Sequence, residues 1–432
     1  MPRSKNWSVL AGFAAGLTVM TALSGSAFAD TTTLTFLVPS GEENVARAQS
    51  LAKAFEAANP DIKVDIDTRP GGAEGDNLIK TRLATGEMSD VFQYNSGSLF
   101  QAINPQQNLV DLSGEPWQAD VQDIFKKVVT APDGTQRGAP IGTGMGGGIY
   151  YNKKIYSDLG LQVPKTWAEF MANNAKIKAA GKTPVIQTFK DTWTSQLFVL
   201  GDFFNVNVAE PGFATKFTAN QAKFATSPAA LKGFEHQADV FKAGYLNDDF
   251  GAATYDDGLR KLATGEGAHY PMLTFAIGAI KTTYPEHIDD VGFFAMPGDD
   301  AAKNGLTVWM PDGLYISGSS EHIDAAKKFA AFVASPAGCE AQTAALGATG
   351  PYMVKGCSLP KDVPGAVADL LPYFGENGAA SPALEFVSPV KGPSLEQITV
   401  EVGSGIRSPA DGAALYDEDV KKQAQQLGLP GW

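Results

Sequence analysis

The stretch Ala139–Lys153, APIGTGMGGGIYYNK, places five glycines between Gly142 and Gly148. Gly142, Gly144 and Gly147 satisfy the spacing G-x-G-x-x-G. A dinucleotide site on that motif needs a strand before it and a helix opening on its last glycine, so that pyrophosphate meets the helix N-terminus. Here the glycines run into Ile149-Tyr150-Tyr151, three residues that favour strand, and a helix is expected only from Lys153 onward. Glu169, at the distance where the motif needs an acidic residue, follows Pro164-Lys165-Thr166-Trp167 and falls inside an expected helix. The glycines need another explanation, and the rest of the chain supplies its bounds.

Upstream, Arg3 and Lys5 precede an apolar run from Val9 to Val19, and Ala27-Phe28-Ala29 stands before Asp30. A basic start, a short apolar stretch and a small-x-small site together predict a secretory signal peptide over residues 1–29. The apolar part is too short for a stable membrane span, and no cysteine follows it to carry a lipid. The expected mature chain, residues 30–432, is exported to the periplasm, and no later stretch reaches the ~18 uninterrupted apolar residues of a membrane helix. The formal charge of −13 becomes −15 once Arg3 and Lys5 are removed. So acidic an exported chain is a poor fit to nucleic acid or anionic lipid, which attract basic surfaces. Its length calls for more than one core, and two lobes in a monomer are expected. Two cysteines, Cys339 and Cys357, either pair in the oxidising compartment or stay separate buried thiols. No histidine lies near them, and His236, His269, His287 and His322 are scattered, so no metal or other cofactor is expected.

Strands alternate with helices along the chain. Thr32–Val38, Ile62–Ile66 and Val91-Phe92 read as strands, separated by helices over Glu42–Ala58 and Leu78–Ala84. Beyond the glycines, Trp167–Ala180 is a helix with Thr166 as N-cap, followed by a strand at Pro184–Ile186 and a helix over Trp193–Phe204. Helices are also expected over Leu231–Ala243, Tyr255–Ala263 and Ile323–Ala334, and a strand over Leu314–Ile316. The segment Pro351–Gly392 is too rich in proline and glycine to assign. The alternation predicts an α/β chain with parallel sheets.

Signs of catalysis are few. There is no G-x-S-x-G and no H-E-x-x-H; Gly181-Lys182-Thr183 is followed by a strand, and Lys176 stands where a P-loop needs glycine. The pairs Asp248-Asp249, Asp256-Asp257 and Asp299-Asp300 read as solvated turns. Polar and aromatic residues instead gather after strands: Ser40, Glu42 and Glu43, then Tyr94, Asn95 and Ser96, then Asp191 and Trp193. Ligands bind at those carboxyl ends in open α/β sheets, so the joint placement favours a binding cleft.

Four stretches carry a resemblance to a family. LATGEMSDVFQYNSG (83–97) is similar to a segment ending G-x-x-P-D-V-F, with Ser89 in place of the proline. GIYYNKKIYSDLGLQVPKTWAEF (148–170) resembles the succession Y-N-K, G-L and P-x-T-W-x-E-F, the most specific match. LATGEGAHYPMLTFAIGAI (262–280) resembles G-x-A-A-M-x-x-x-G-x-W, with Leu273 near the glycine and Phe275 near the tryptophan. DGLYISGSSEHIDAAKKFAAFVASPAG (312–338) resembles a late strand–helix segment. The family is the carbohydrate-binding, maltose-binding-protein-like group of the extracellular solute-binding proteins of ABC importers.

The resemblance implies a two-lobe periplasmic-binding-protein fold (type II), with ligand in the cleft between lobes joined by crossing strands. It implies an N-terminal lobe of residues 30–139 plus 297–346 and a C-terminal lobe of 140–296 plus 347–432, with the glycines at the first crossing. There glycine either lets backbone move or approach a ligand, or serves as a tight packing point, the two readings standing level for Gly147 and Gly148. Gly144 and Met145 are the ligand candidates of that run. By position in the family pattern Glu42, Glu43, Asn95, Ser96 and Asp312 would bond sugar hydroxyls, and Tyr94, Trp193, Phe275 and Trp309 would stack on sugar faces, joined by Ser40 and Asp191 at the strand ends. The missing tryptophan at Phe275 favours a mono- to trisaccharide over long glucans. The implied partners are a sugar ligand and the transmembrane subunits of an ABC permease. Alternatives are a non-sugar ligand such as a polyamine or polyol, or an exported glycan-active enzyme.

Overall fold

The computed structural model describes residues 31–374 and 378–432; the expected signal peptide lies outside the described residues. In chain order the strands are β1 Thr32–Pro39, β2 Ile62–Arg69, β3 Val91–Tyr94, β4 Gly138–Ile141, β5 Met145–Asn152, β6 Thr183–Val185, β7 Gly267–Leu273, β8 Val291–Ala295, β9 Leu306–Trp309, β10 Asp312–Ile316 and β11 Ala380–Pro382. They form two sheets. The first has the order β2-β1-β3-β10-β4, and the second β11-β9-β5-β7-β6, with β8 paired to the far half of β5. In the first sheet β1 runs parallel to β2 and β3, while β10 is antiparallel to β3 and β4.

Residue pattern explains the layers. In β1, Leu34, Phe36, Leu37 and Val38 are fully buried, the near-continuous apolar run of a strand covered on both faces. The edge strand β2 exposes Lys63, Asp65 and Asp67 between less exposed Ile62, Val64 and Ile66, and so has one solvated face. The helix Glu42–Ala58 lays Ala48, Leu51 and Phe55 on this sheet. Phe36 and Phe55 both meet Phe329 edge-on, at 5.4 and 5.1 Å between ring centroids, which fixes the helix Ile323–Val333 over the same face. Each such ring contributes ~1.5–3 kcal/mol by leaving water.

The glycine run is a strand. β5 pairs with β9, β7 and β8 in turn, so no helix N-terminus follows the motif and the dinucleotide reading is excluded. Glu169 instead closes a capping box: its backbone N–H donates to Thr166 Oγ1, and its carboxylate accepts the Thr166 N–H. Glycine is required at Gly147 because an added Cβ would sit 2.2 Å from the Trp309 ring, and at Gly148 because it would sit 2.4 Å from the Phe294 carbonyl oxygen. Of the two readings offered for these positions, close packing is the one realised.

The sheets locate the crossings and correct the expected lobe limits. Pro140 and Ile141 belong to β4 in the first sheet, so the first crossing is 142–144 rather than at residue 140. β9 hydrogen-bonds to β5 in the second sheet, so the chain re-enters the first lobe at Met310-Pro311 and not at residue 297. Residues after Gly347 still belong with the first lobe: Gln122 donates to the Met353 carbonyl and Lys355 to that of Asp120, at 2.9 and 2.7 Å. Only after Cys357 does the chain leave, and by Asp369 it is receiving the N–H of Phe293 in β8. Cys339 and Cys357 are joined as a disulfide just before this third crossing.

Two further expectations change. The helix foreseen over Trp193–Phe204 is three pieces, a 3₁₀ turn Thr192–Gln196 and helices Leu197–Leu200 and Phe203–Ala209, broken at Gly201-Asp202. The strand foreseen at Pro184–Ile186 is Thr183–Val185. The unassigned tail supplies β11, which edges the second sheet beside β9, and leads into helices Leu395–Gly403 and Pro409–Gln426. These two pack on the helix Pro228–Lys242 around Phe224, Phe234, Val402 and Tyr416. Among the described residues no helix is long and apolar enough to cross a membrane.

Candidate functional site

Strand ends from both sheets converge between the lobes on a cavity of about 390 Å³. The first lobe contributes Ser40 after β1, Gly71 and Gly72 after β2, Asn95 and Ser96 after β3, Thr143 after β4, and Asp312 at the start of β10. The second contributes Met145 at the start of β5, Leu273 at the end of β7, Trp309 at the end of β9, and Asp191 and Trp193 beyond β6. β1–β4, β7 and β9 face the crevice with their carboxyl ends, while β5 and β10, antiparallel to their neighbours, face it with their amino ends; the second sheet is thus mostly antiparallel and not the parallel sheet the alternation predicts.

The first-lobe wall is polar and charged. Glu43 and Arg47 stand one turn apart on the helix Glu42–Ala58, 2% and 7% exposed. Asn44 donates to Glu43 Oε1 at 3.0 Å, which leaves Oε2 buried without a partner. Gln93 donates through Nε2 to Asn44 Oδ1 at 2.9 Å and to Asp312 Oδ2 at 2.7 Å, leaving its own Oε1 unpartnered. Arg69 reaches the Pro70 carbonyl at 3.0 Å. Burial raises the Glu43 and Asp312 carboxyls above their ordinary range, and the neighbouring Arg47 opposes this at both. Burial likewise lowers both arginines, with Asp312 opposing it at each. This wall therefore holds charges of both signs in partial desolvation, with acceptor atoms still free.

The second-lobe wall is aromatic. Trp193 lies 5.3 Å from Tyr255 and 6.2 Å from Phe275, and Tyr255 lies 6.1 Å from Phe275, all between ring centroids. Trp193 and Phe275 are half-buried, so their rings retain surface toward the cavity. Asp191 steadies the group by accepting the Tyr255 N–H at 2.6 Å. Trp309 is set beside them over Gly147, its Nε1 donating to Glu385, which also pairs with Lys391 at 3.3 Å.

Most expected site residues meet here. Ser40, Glu43, Asn95, Ser96, Met145, Asp191, Trp193, Phe275, Trp309 and Asp312 all line the cavity. Three do not. Tyr94 is wholly buried in the first core, with the Arg69 guanidinium 5.5 Å from its ring centroid, because its position in β3 turns it away from the cleft. Gly144 is packed against Met353 and donates its N–H to the Pro351 carbonyl at 2.7 Å, so it serves the crossing and not a ligand. Glu42 is exposed, and its carboxylate accepts a hydrogen bond from Thr283 of the other lobe at 2.6 Å. It ties lobe to lobe.

A second tie spans the cleft mouth. Glu396, from the tail, accepts the Ala73 N–H of the first lobe at 3.2 Å and the Thr192 hydroxyl at 3.0 Å. Trp193 lies against Gly71 and Gly72 at the same point. Sequence reading passed over Arg47, Arg69, Tyr255, Lys391 and Glu396. For Arg47 a signal existed: with Glu43 it forms an i, i+4 charge pair beside the apolar stripe of its helix. Tyr255 was concealed as the first residue of an amphipathic helix, next to acids that read as a turn. Among the described residues no group of three or more His, Cys, Asp or Glu side chains is arranged to hold a metal ion.

Known proteins share this architecture. A sequence model of the family described as bacterial extracellular solute-binding protein matches residues 39–338. The multiple sugar-binding protein of Streptococcus mutans is 28% identical over 310 residues, which cover 68% of this chain and 69% of that protein. An ABC transporter extracellular-binding protein of Pyrococcus horikoshii is 25% identical over 288 residues, 66% of this chain and 64% of its own length. Among solved structures, a chitin oligosaccharide binding protein superposes with a TM-score of 0.78 at 24% identity, covering 92% of this chain and 100% of that one. A raffinose-bound solute-binding protein gives 0.74 at 21% identity over the same shares. At these identities the structures speak to the two-lobe fold.

Proposed function

Because the chain belongs to the family of bacterial extracellular solute-binding proteins, we propose that it is the receptor of an ABC-type carbohydrate importer and holds a mono- to trisaccharide between its lobes. One observation carries the choice of ligand: an aromatic wall of Trp193, Tyr255 and Phe275 faces a wall of charged and amide side chains across one cavity. A sugar presents an apolar C–H face to the first and a rim of hydroxyls to the second. In this reading Trp193, Phe275 and Trp309 stack, and Ser40, Glu43, Asn95, Ser96, Asp191 and Asp312 bond hydroxyls. The names of relatives that bind sugars, the melibiose/raffinose/stachyose-binding protein of Bacillus subtilis among them, point the same way.

The mechanism is a population shift. Ligand touches both walls only when the lobes are together, so it selects that arrangement, and the joined shape is what docks on a membrane permease powered by a cytoplasmic ATPase. The protein acts as a periplasmic monomer and performs no chemistry on the sugar. A cationic ligand is the second reading, since acids outnumber bases around the cavity. Against it, Asp191, Asp312, Glu385 and Glu396 are already engaged by donors of the protein itself.

Calorimetric titration of residues 30–432 with melibiose, raffinose, stachyose, a chitin disaccharide and spermidine tests this. A neutral sugar should bind, and Trp193→Ala should weaken it about tenfold or more. Spermidine binding with every sugar silent would overturn the ligand class.

A further inference from the structure

Among the residues that line the cavity, Glu43 and Tyr255 each bury a polar atom that has no partner in the protein, and they come from opposite lobes. One is Glu43 Oε2, on a side chain 2% exposed in the first lobe. The other is Tyr255 Oη, on a side chain 7% exposed in the second. An unpaired buried polar atom costs ~1–3 kcal/mol, so a ligand group that satisfies both would recover that cost on binding.

Both residues stand on the wall of the same cavity, one on each side of the cleft. The Glu43 carboxyl opposes ionisation of the Tyr255 phenol, which burial holds well above its ordinary range and hence as an O–H donor. Around them stand Arg47, Asp256 and Glu42, the charged groups that act on Glu43. Glu43 Oε1 is occupied by Asn44 and the Tyr255 backbone by Asp191, so each residue is held in place by the protein while its remaining atom is free.

We propose that Glu43 and Tyr255 grip a single hydroxyl of the ligand from opposite lobes, and that this shared hydroxyl is the cleft's specificity point. The inference rests on the sugar reading above and adds to it the residue pair and the group they recognise. A hydroxyl donates its proton to the Glu43 carboxylate and accepts the Tyr255 O–H, satisfying both orphans at once. An ammonium could donate to Glu43 but cannot accept the phenol O–H, and a deoxy position serves neither. Since the subsite is divided between lobes, it exists only when they are together, and filling it favours closure over occupancy of one lobe.

The test uses Tyr255→Phe, Glu43→Gln and the double variant of the full mature chain, with two readouts. In thermal unfolding without ligand, Tyr255→Phe should be as stable as the parent or more so, because it deletes an unpaired hydroxyl. A fall of several degrees would show that the phenol has an internal partner and would overturn the inference. In titration with raffinose, each single variant should bind about tenfold weaker or worse, and the double variant should lose less than the product of the two. Unchanged affinity, or strict multiplicativity, overturns the shared hydroxyl. If the parent itself does not bind raffinose, that counts against raffinose as a ligand, while the ligand-free readout still decides on the orphan phenol.

Discussion

Asp202 sits at the break between two helices, buried, with Asn205 Nδ2 donating to it at 2.7 Å. Burial pushes its carboxyl up to about 7. The folded state therefore keeps a proton that the unfolded chain releases from about pH 4 upward, and stability is lost as pH rises toward 7. Asp202→Asn should raise the unfolding temperature at pH 8 and leave it nearly unchanged at pH 4, as read by calorimetry at the two values; an equal effect at both would refute the assignment. The imidazoles act in the opposite sense. His236, stacked on Trp167 at 3.7 Å, and His269, between Tyr156 and the Pro184 carbonyl, are both pushed down to about 3 by burial. Protonation of the unfolded chain then costs stability as pH falls from about 6.5 to 3. Stability is thus greatest where neither group has claimed its full penalty.

Elements differ in how plainly the sequence declares them. The helix Glu42–Ala58 was legible because Ala48, Leu51, Ala52 and Phe55 repeat at helical spacing, and β1 because its apolar run stops at Pro39-Ser40-Gly41. The 3₁₀ turn holding Trp193 was not, since its boundaries are decided by Glu396 and Thr399 of the distant tail, which bond Thr192 and Ser195. β11 was hidden because a three-residue strand ending in proline has no periodicity to read. Site residues followed the same rule: those beside legible strand ends, such as Ser40, Asn95 and Asp312, were found, and Arg69 and Tyr255, whose roles depend on what folds opposite them, were not. At this scale the disulfide can be tested. It ties the helix Pro336–Leu346 to the segment that carries Thr349 and Pro351 past the first crossing. Replacing both cysteines by alanine should cost about 3 kcal/mol on the chain-entropy account, measured by denaturant unfolding, and reduction of the parent should reproduce the loss. No loss in either would mean that packing alone holds the third crossing.

For the whole molecule, the lobes meet through the helix Ala276–Thr283, which packs on Glu42–Ala58 and Pro336–Leu346, and through polar ties at the cleft: Glu42 to Thr283, Glu396 to Ala73, and Trp193 against the glycines after β2. A ligand that bridges the polar ties adds to the joined arrangement and biases it. X-ray scattering should show a smaller radius of gyration with a bound sugar than without, and a tight ligand that leaves the radius unaltered would refute closure. The two-lobe plan itself was legible in the chain's length and in its family resemblance, whereas the lobe limits slipped because β9 joins the sheet of its far neighbour β5.

The part played by the tail has a consequence in time. Glu385, Lys391 and Glu396 wall the cavity, and β11 covers the outer edge of β9. A polypeptide emerging from its amino end can assemble the first sheet from residues 32–316 while the crevice still lacks a side and β9 still offers an unpaired edge to other chains. The binding site is therefore among the last features to come into being, and any shortening that removes residues after 379 would leave a chain with its first sheet, a stripped second-lobe core, no complete crevice, and a new tendency to stick to its own kind.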